Sequence, residues 1–369
     1  MMPPQSNRSQ VPVVNIVSYS YKGGSGRSTA SVNIAFKLAK MGKLVVVLDM
    51  DIGAAGMHMI MSEWNSSAKA QIDNNKEGRV GHQTFFNGTY RTPDDILAML
   101  GPAMLNVEQV DETYFKRNRT EGDDGPVGAL MFVFSSAKDR SLKDLSGGPA
   151  GATLFEQKYL LLQQTLARKL GGSIDREVYF IVDSPNGITP VSLPVLTGAD
   201  LILMFYRHSL QHIRGTIEAG ERLHYYLMEE FDRRFMRILL VGSCVPERII
   251  NGLRKSSKSG ALASEQYATE MLEKFDTMSV QLSEFEARYP GLVRRLDAEL
   301  IEDDVLKVLD QPLDDDGVLN ELLGYPRDEA NLLSSTQTQK KIAEIAESIV
   351  EYGQSIARRK NMAAGVGDN

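Results

Sequence analysis

Apolar positions along the chain fall into short unbroken runs, and most of the runs are separated by stretches with helical spacing. Val13 to Ser20 (VVNIVSYS) is a β-branched run that ends at a glycine-rich turn. From Ser28 to Met41 the apolar residues Val32, Ala35, Phe36 and Ala39 recur at three and four positions, which predicts a helix that Gly42 stops in a left-handed conformation. Leu44 to Asp51 (LVVVLDMD) shows no alternation, as expected of a strand covered by helices on both faces. Similar runs recur at Leu130 to Phe134, Val178 to Val182, Leu201 to Phe205 and Ile238 to Val241, with helical stretches at Leu154 to Leu170 and Gln211 to Glu229. The alternation predicts an α/β fold: a doubly wound, mostly parallel sheet flanked by helices, with inserted segments.

Two segments break this rhythm. Ser62 to Asp124 is polar and glycine-containing, with one helix-like patch near Pro93 to Leu100, and reads as an inserted surface region. Glu247 to Glu299 is charged and helical in pattern and reads as a helical excursion. Thr336 to Arg359 reads as a terminal helix with Ile342, Ile345, Ala346, Ile349 and Val350 on one face. The expected organisation is a flexible leader over 1–10, one domain over 11–352 with insertions at about 62–124 and 247–299, and a tail over 353–369.

Composition narrows the function classes. Of 369 residues 42% are hydrophobic and 24% charged, ample for a globular core. Forty-one Lys+Arg against 48 Asp+Glu leave a net charge of −7, which argues against a surface coated in basic residues for nucleic acid. The single cysteine, Cys244, cannot make an internal disulfide or a zinc cluster, so the expected compartment is a reducing cytoplasm. No run approaches the roughly 20 apolar residues of a membrane helix.

The informative chemistry lies between the first strand and its helix, at Tyr21-Lys22-Gly23-Gly24-Ser25-Gly26-Arg27-Ser28-Thr29. Glycines let the backbone wrap a phosphate chain, and N–H groups at a helix start present positive charge to it. Ser28 stands where a loop hydroxyl binds Mg²⁺, and Arg27 where a phosphate-binding lysine is usual. The next strand ends in Asp49-Met50-Asp51, which puts two carboxylates on one face at the edge of the sheet. The run VYFIVDSPNGI ends another strand in Asp183, placed to hold a metal-bound water, with Pro185 and Gly187 following.

The loop (Lys22 to Thr29), the LDMDIG stretch (Leu48 to Gly53) and the DSPNGI stretch (Asp183 to Ile188), in that order, resemble the ParA/MinD family of deviant Walker A P-loop ATPases, in the subgroup whose loop reads KGGxGR. The resemblance implies a P-loop NTPase fold and an ATP·Mg²⁺ site completed by a nucleotide-dependent homodimer. It implies that Gly23, Gly24, Ser25, Gly26, Arg27, Ser28, Thr29 and Gly187 cradle the nucleotide, with Pro246 on the stretch where relatives read the base. It further implies that Ser28, Asp49, Asp51 and Asp183 surround the metal. By the same resemblance Lys22 is expected to reach the partner's nucleotide and Asp51 to position the attacking water, while Arg27 keeps the positive charge of the loop and would bind phosphate as a planar fork rather than a point. Relatives carry an asparagine near Gly242 to Pro246 that is missing here, and Glu302-Asp303-Asp304 resembles the later loop near the base.

The expected function is that of a slowly hydrolysing, ATP-dependent dimeric switch that recruits a protein partner through its inserted segments. The alternative is a nucleotide-binding scaffold with little hydrolysis, Arg27 being the cause. Less favoured are a DNA-partition ATPase working through Arg248, Arg254, Lys255 and Lys258, which read better as a solvated helix face, and a bacterial tyrosine kinase, whose tyrosine-rich tail is missing. A metal shared by His208 and His212, four apart on an expected helix, lacks an acidic third ligand in register. The terminal helix, ending in Arg358-Arg359-Lys360, has no bulky aromatics on its apolar face and reads as docked on the domain rather than on a membrane.

Overall fold

The unbroken apolar runs become the middle of one eight-stranded sheet in the computed structural model of the chain, with strand order β3-β4-β2-β5-β1-β6-β7-β8. The structure describes residues 11–52, 56–62, 70, 72–73, 75, 81–88, 92–106, 128–135, 148–173, 176–189, 192–226, 236–245, 277–301 and 332–363. In chain order the elements are β1 (Val13–Ser20), α1 (Arg27–Lys40), β2 (Leu44–Asp49), α2 (Met57–Ser62), α3 (His82–Asn87), α4 (Pro93–Leu100) and β3 (Met104–Asn106). They continue with β4 (Ala129–Val133), α5 (Gly148–Lys169), β5 (Val178–Asp183), α6 (Ser192–Thr197), β6 (Leu201–Tyr206), α7 (Leu210–Tyr225) and β7 (Arg237–Val245). A helix over 277–288, α8, leads to β8 (Val293–Ile301), and α9 (Leu332–Ala363) closes the described chain.

All strand pairs are parallel except β3 with β4. Every residue of β1, β2, β4, β5 and β6 is buried, the expected consequence of helices on both faces. Successive side chains of β1 enter opposite cores. Val13, Val17 and Tyr19 join one with Phe155 and Leu162 of α5, Ile213 of α7 and Phe285 of α8. Val14 and Ile16 join the other with Phe36 of α1, Met57 of α2 and Ile345 and Ile349 of α9. The terminal helix is thus docked on the sheet, as its apolar spacing predicted.

The structure corrects two boundaries of the sequence reading. Within the expected surface insertion, α3 and α4 bury Phe85, Phe86, Ile96 and Leu100 in the core beside α5, and β3 adds an antiparallel edge. The helix at Pro93–Leu100 is present, closed by a capping box between Thr92 and Asp95. Within the expected helical excursion, α8 is helical, but Val293–Ile301 is a parallel edge strand on β7. Its charged positions, Arg294, Arg295, Asp297 and Glu299, hide a strand that pairs on one side only.

Candidate functional site

The sheet brings the singled-out residues together at the C-terminal ends of its central strands. Parallel register places Ser18 of β1 and Asp49 of β2 both opposite Asp183, the last residue of β5. The loop that leaves β1 therefore starts beside two carboxylates, the usual place for a ligand in an open α/β sheet. Gly24 (φ 77°) and Gly26 (φ 68°) take left-handed conformations that cost an ordinary residue about 1–2 kcal/mol. Gly26 is the N-cap of α1 and has no capping side chain, so the first N–H groups of the helix remain for a ligand. Gly23, Gly24 and Gly26 are open to solvent while Ser25 is buried beneath them.

Arg27 turns inward. Its Nε donates to Asp183 Oδ1 at 2.5 Å, Nη2 to Asp51 Oδ2 at 2.8 Å, and Nη1 to Asn186 Oδ1 at 2.7 Å and Ser20 Oγ at 3.1 Å. The side chain is only 5% exposed. Burial by itself lowers its pKa, and Asp183 and Asp51 outweigh that, so the guanidinium sits above its ordinary value and stays charged. Ser28 Oγ donates to Asp183 Oδ2 at 2.5 Å, and Ser20 Oγ donates to Asn186 Oδ1 at 2.9 Å.

Asp49 lies behind this cluster. Its Oδ1 accepts from the Asp51 amide at 3.2 Å, while its Oδ2 is buried with no hydrogen-bond partner. Burial, then the negative charges of Asp183 and Asp51, raise its pKa well above the usual carboxylate range. Such a group asks for a cation. Among the described residues no three His, Cys, Asp or Glu side chains form a metal cage by themselves. The set still suits Mg²⁺, which takes one or two carboxylates and completes its shell with water and phosphate oxygens, and Ser28, Asp49, Asp51 and Asp183 offer the hydroxyl and carboxylate oxygens. His82 of α3 supports Asp49 from below, donating from Nε2 to the Asp49 carbonyl at 2.5 Å. It is wholly buried, and burial pushes its pKa down to about 4, so it is neutral with the proton on Nε2.

Lys22 is exposed at the mouth of the loop, and its Nζ donates to Gln211 Oε1 of α7 at 3.0 Å. Gly187 (φ 71°) donates its N–H to the Ser20 carbonyl at 3.1 Å, which ties the segment after Asp183 to the end of β1. The carbonyl of Thr29 accepts from Asn33 inside α1. Pro246, the Arg248 to Lys258 cluster and Glu302 to Asp304 lie outside the described residues. His208 and His212 do not share a helix: His208 precedes Ser209, the N-cap of α7, and His212 is in its first turn. The sequence reading did not single out Ser20, Asn186, His82 or Arg207. Asn186 carried a visible signal, lying inside DSPNGI between Asp183 and Gly187; the other three have only their place in space.

Residues 12–78, which span β1, the loop, α1 and β2 with Asp49 and Asp51, match the ParA family model, described as an NUBPL iron-transfer P-loop NTPase. That stretch of the chain is similar to a ParA-type P-loop NTPase. The chain is 50% identical over 205 residues to an uncharacterized ATP-binding protein of Methanocaldococcus jannaschii, covering 56% of this chain and 57% of that protein. It is 35% identical over 102 residues to an iron-sulfur cluster carrier protein of Synechocystis, covering 26% of this chain and 28% of the carrier. The matches thus span little more than half of the first relative and under a third of the second. Among solved structures, the MinC:MinD cell division complex of Aquifex aeolicus aligns at 17% identity and a TM-score of 0.47, covering 90% of this chain and 95% of that one. MinD complexed with Mg-ADP from Pyrococcus horikoshii aligns at 14% identity and a TM-score of 0.45, covering 92% and 98%. Among the described residues no helix is long and apolar enough to cross a membrane.

Proposed function

We propose that the chain binds ATP·Mg²⁺ and hydrolyses it slowly, as a nucleotide switch that closes with a second copy. The observation that carries the reading is the meeting of the glycine loop, Ser28 and the carboxylates of Asp49, Asp51 and Asp183 at one end of the sheet. The relative in Methanocaldococcus jannaschii, described as ATP-binding, supports the choice of nucleotide. The iron-sulfur cargo of the Synechocystis relative is not carried over, because these 369 residues hold one cysteine where a cluster takes four thiolates or their equivalents.

In this reading the backbone of Gly23 to Ser28 at the start of α1 binds the phosphate chain. Ser28, Asp51 and Asp183 hold Mg²⁺ directly or through water, with Asp49 behind them. Bound Mg²⁺ neutralises charge on the phosphate oxygens and polarises them. Asp51 orients the attacking water and accepts its proton. Gly187 follows the carboxylate segment closely enough to carry the state of the site into the next helix, since Ser192 Oγ donates to its carbonyl at 2.8 Å. Lys22 is exposed, and its Nζ, which donates to the surface side chain of Gln211, could exchange that bond for a phosphate of the second copy. We assign the unit to 11–363, because α9 runs past 352 with Ile356 buried, with a protein partner read through segments 62–124 and 247–299.

Equilibrium binding of a fluorescent ATP analogue tests the reading. Binding in the micromolar range that requires Mg²⁺ and weakens at least tenfold in Asp183→Asn is expected, and a lack of binding at millimolar ATP would sink it. A second reading, binding without turnover, is favoured by the four inward hydrogen bonds of Arg27. Tight binding with phosphate release at background would select it.

A further inference from the structure

We propose that Arg207, which follows β6, supplies the phosphate-binding charge that Arg27 directs elsewhere; this rests on the nucleotide reading above. Nε, Nη1 and Nη2 of Arg27 donate to Asp183, Ser20, Asn186 and Asp51, and the side chain is buried with them. A phosphate chain over Gly23 to Gly26 therefore needs another cation on the solvent side. β1 lies between β5 and β6 in the sheet, so its loop has Asp183 on one flank and the end of β6 on the other. Register pairs Ser20 with Phe205, which brings residue 207 level with the first loop residues. A side chain at Gly24 would begin 3.7 Å from Arg207 Nη1, and Gly24 is the left-handed, solvent-open crest of the loop.

The surroundings agree with a positive pole on this flank. Lys22 lies beside it, on Gln211. His212, in the first turn of α7, has its pKa lowered by burial and then by the nearby charges of Arg207 and Lys22. One flank of the loop is thus acidic and holds Arg27; the other carries Arg207 and Lys22. A guanidinium there can bind two phosphate oxygens through parallel N–H groups in one rigid plane, where a lysine offers a point charge.

The test is the affinity of the full chain for fluorescent N-methylanthraniloyl-labelled ATP and AMP, with thermal melting as the check on folding. Arg207→Gln is expected to weaken ATP binding at least tenfold and AMP binding much less, and Arg207→Lys to recover part of the loss. Arg222→Gln, the same charge change in the last turn of α7, is the control and is expected to shift affinity less than twofold. Wild-type binding with unaltered ATP affinity in Arg207→Gln overturns the assignment, as does an equal loss in Arg222→Gln. If Arg207→Gln fails to fold, Arg207→Lys decides: wild-type affinity for both nucleotides overturns the assignment, and a loss confined to ATP supports it. A wild-type chain that binds no ATP overturns the nucleotide reading and the role of Arg207 with it.

Discussion

Replacing Arg27 by methionine leaves Asp51 and Asp183 buried against each other without their shared cation, which places the consequence on the fold as much as on the ligand. Breaking a buried pair on one side costs roughly 3–5 kcal/mol, and two carboxylates lose a partner here. Arg27→Met is therefore expected to lower the urea midpoint sharply. Arg27→Lys restores one point of charge but not the four-way fork, so it recovers only part of the loss. His82 gives a pH dependence of definite sign. Its folded pKa of about 4 lies below the ordinary 6.5, so the fold favours the neutral ring. That contribution is fully present above pH 6.5 and is lost as pH falls toward 4, amounting to roughly 3 kcal/mol. Melting temperature followed from pH 7 to 4 is expected to fall, and to fall less in His82→Gln, which cannot titrate.

At the scale of elements, the loop helix is held at both ends. Its start is joined to β5 through Ser28 and Arg27, and its end is closed on β4 by a backbone approach that only glycine allows: a Cβ at Gly128 would lie 1.8 Å from the Ala39 carbonyl oxygen. Neither atom can yield by a rotamer change, so Gly128→Ala is expected to cost at least ~1–3 kcal/mol, read as a fall in melting temperature. The central strands and α1 were legible because burial on both faces and a 3.6-residue period leave marks that survive in one dimension. Edge elements were not. The charged β8 resembles a helix to a pattern reader because only one side of it is paired, and α3, with His82, Phe85 and Phe86, lacked a repeat long enough to reveal its buried face.

For the whole molecule the decisive expectation is assembly. ATP·Mg²⁺ is expected to double the mass seen by light scattering, and Lys22→Ala to abolish the doubling while leaving ATP binding in place. Asp51→Ala is expected to reduce phosphate release about 10²-fold, the usual yield of a positioned base. Unaided, the sequence determined the α/β alternation, the glycine loop and the three aspartates, because each is local: a run, a spacing or a strand end. Tertiary structure alone decided which way the charges point. Asp183 lies more than 130 residues from Asp49 yet opposite it in register, Arg27 sits between Asp51 and Asp183, and Arg207 flanks the loop through strand order. Whether an arginine reaches for a phosphate or for a carboxylate depends on which carboxylates the sheet places within its reach, and no linear spacing records that.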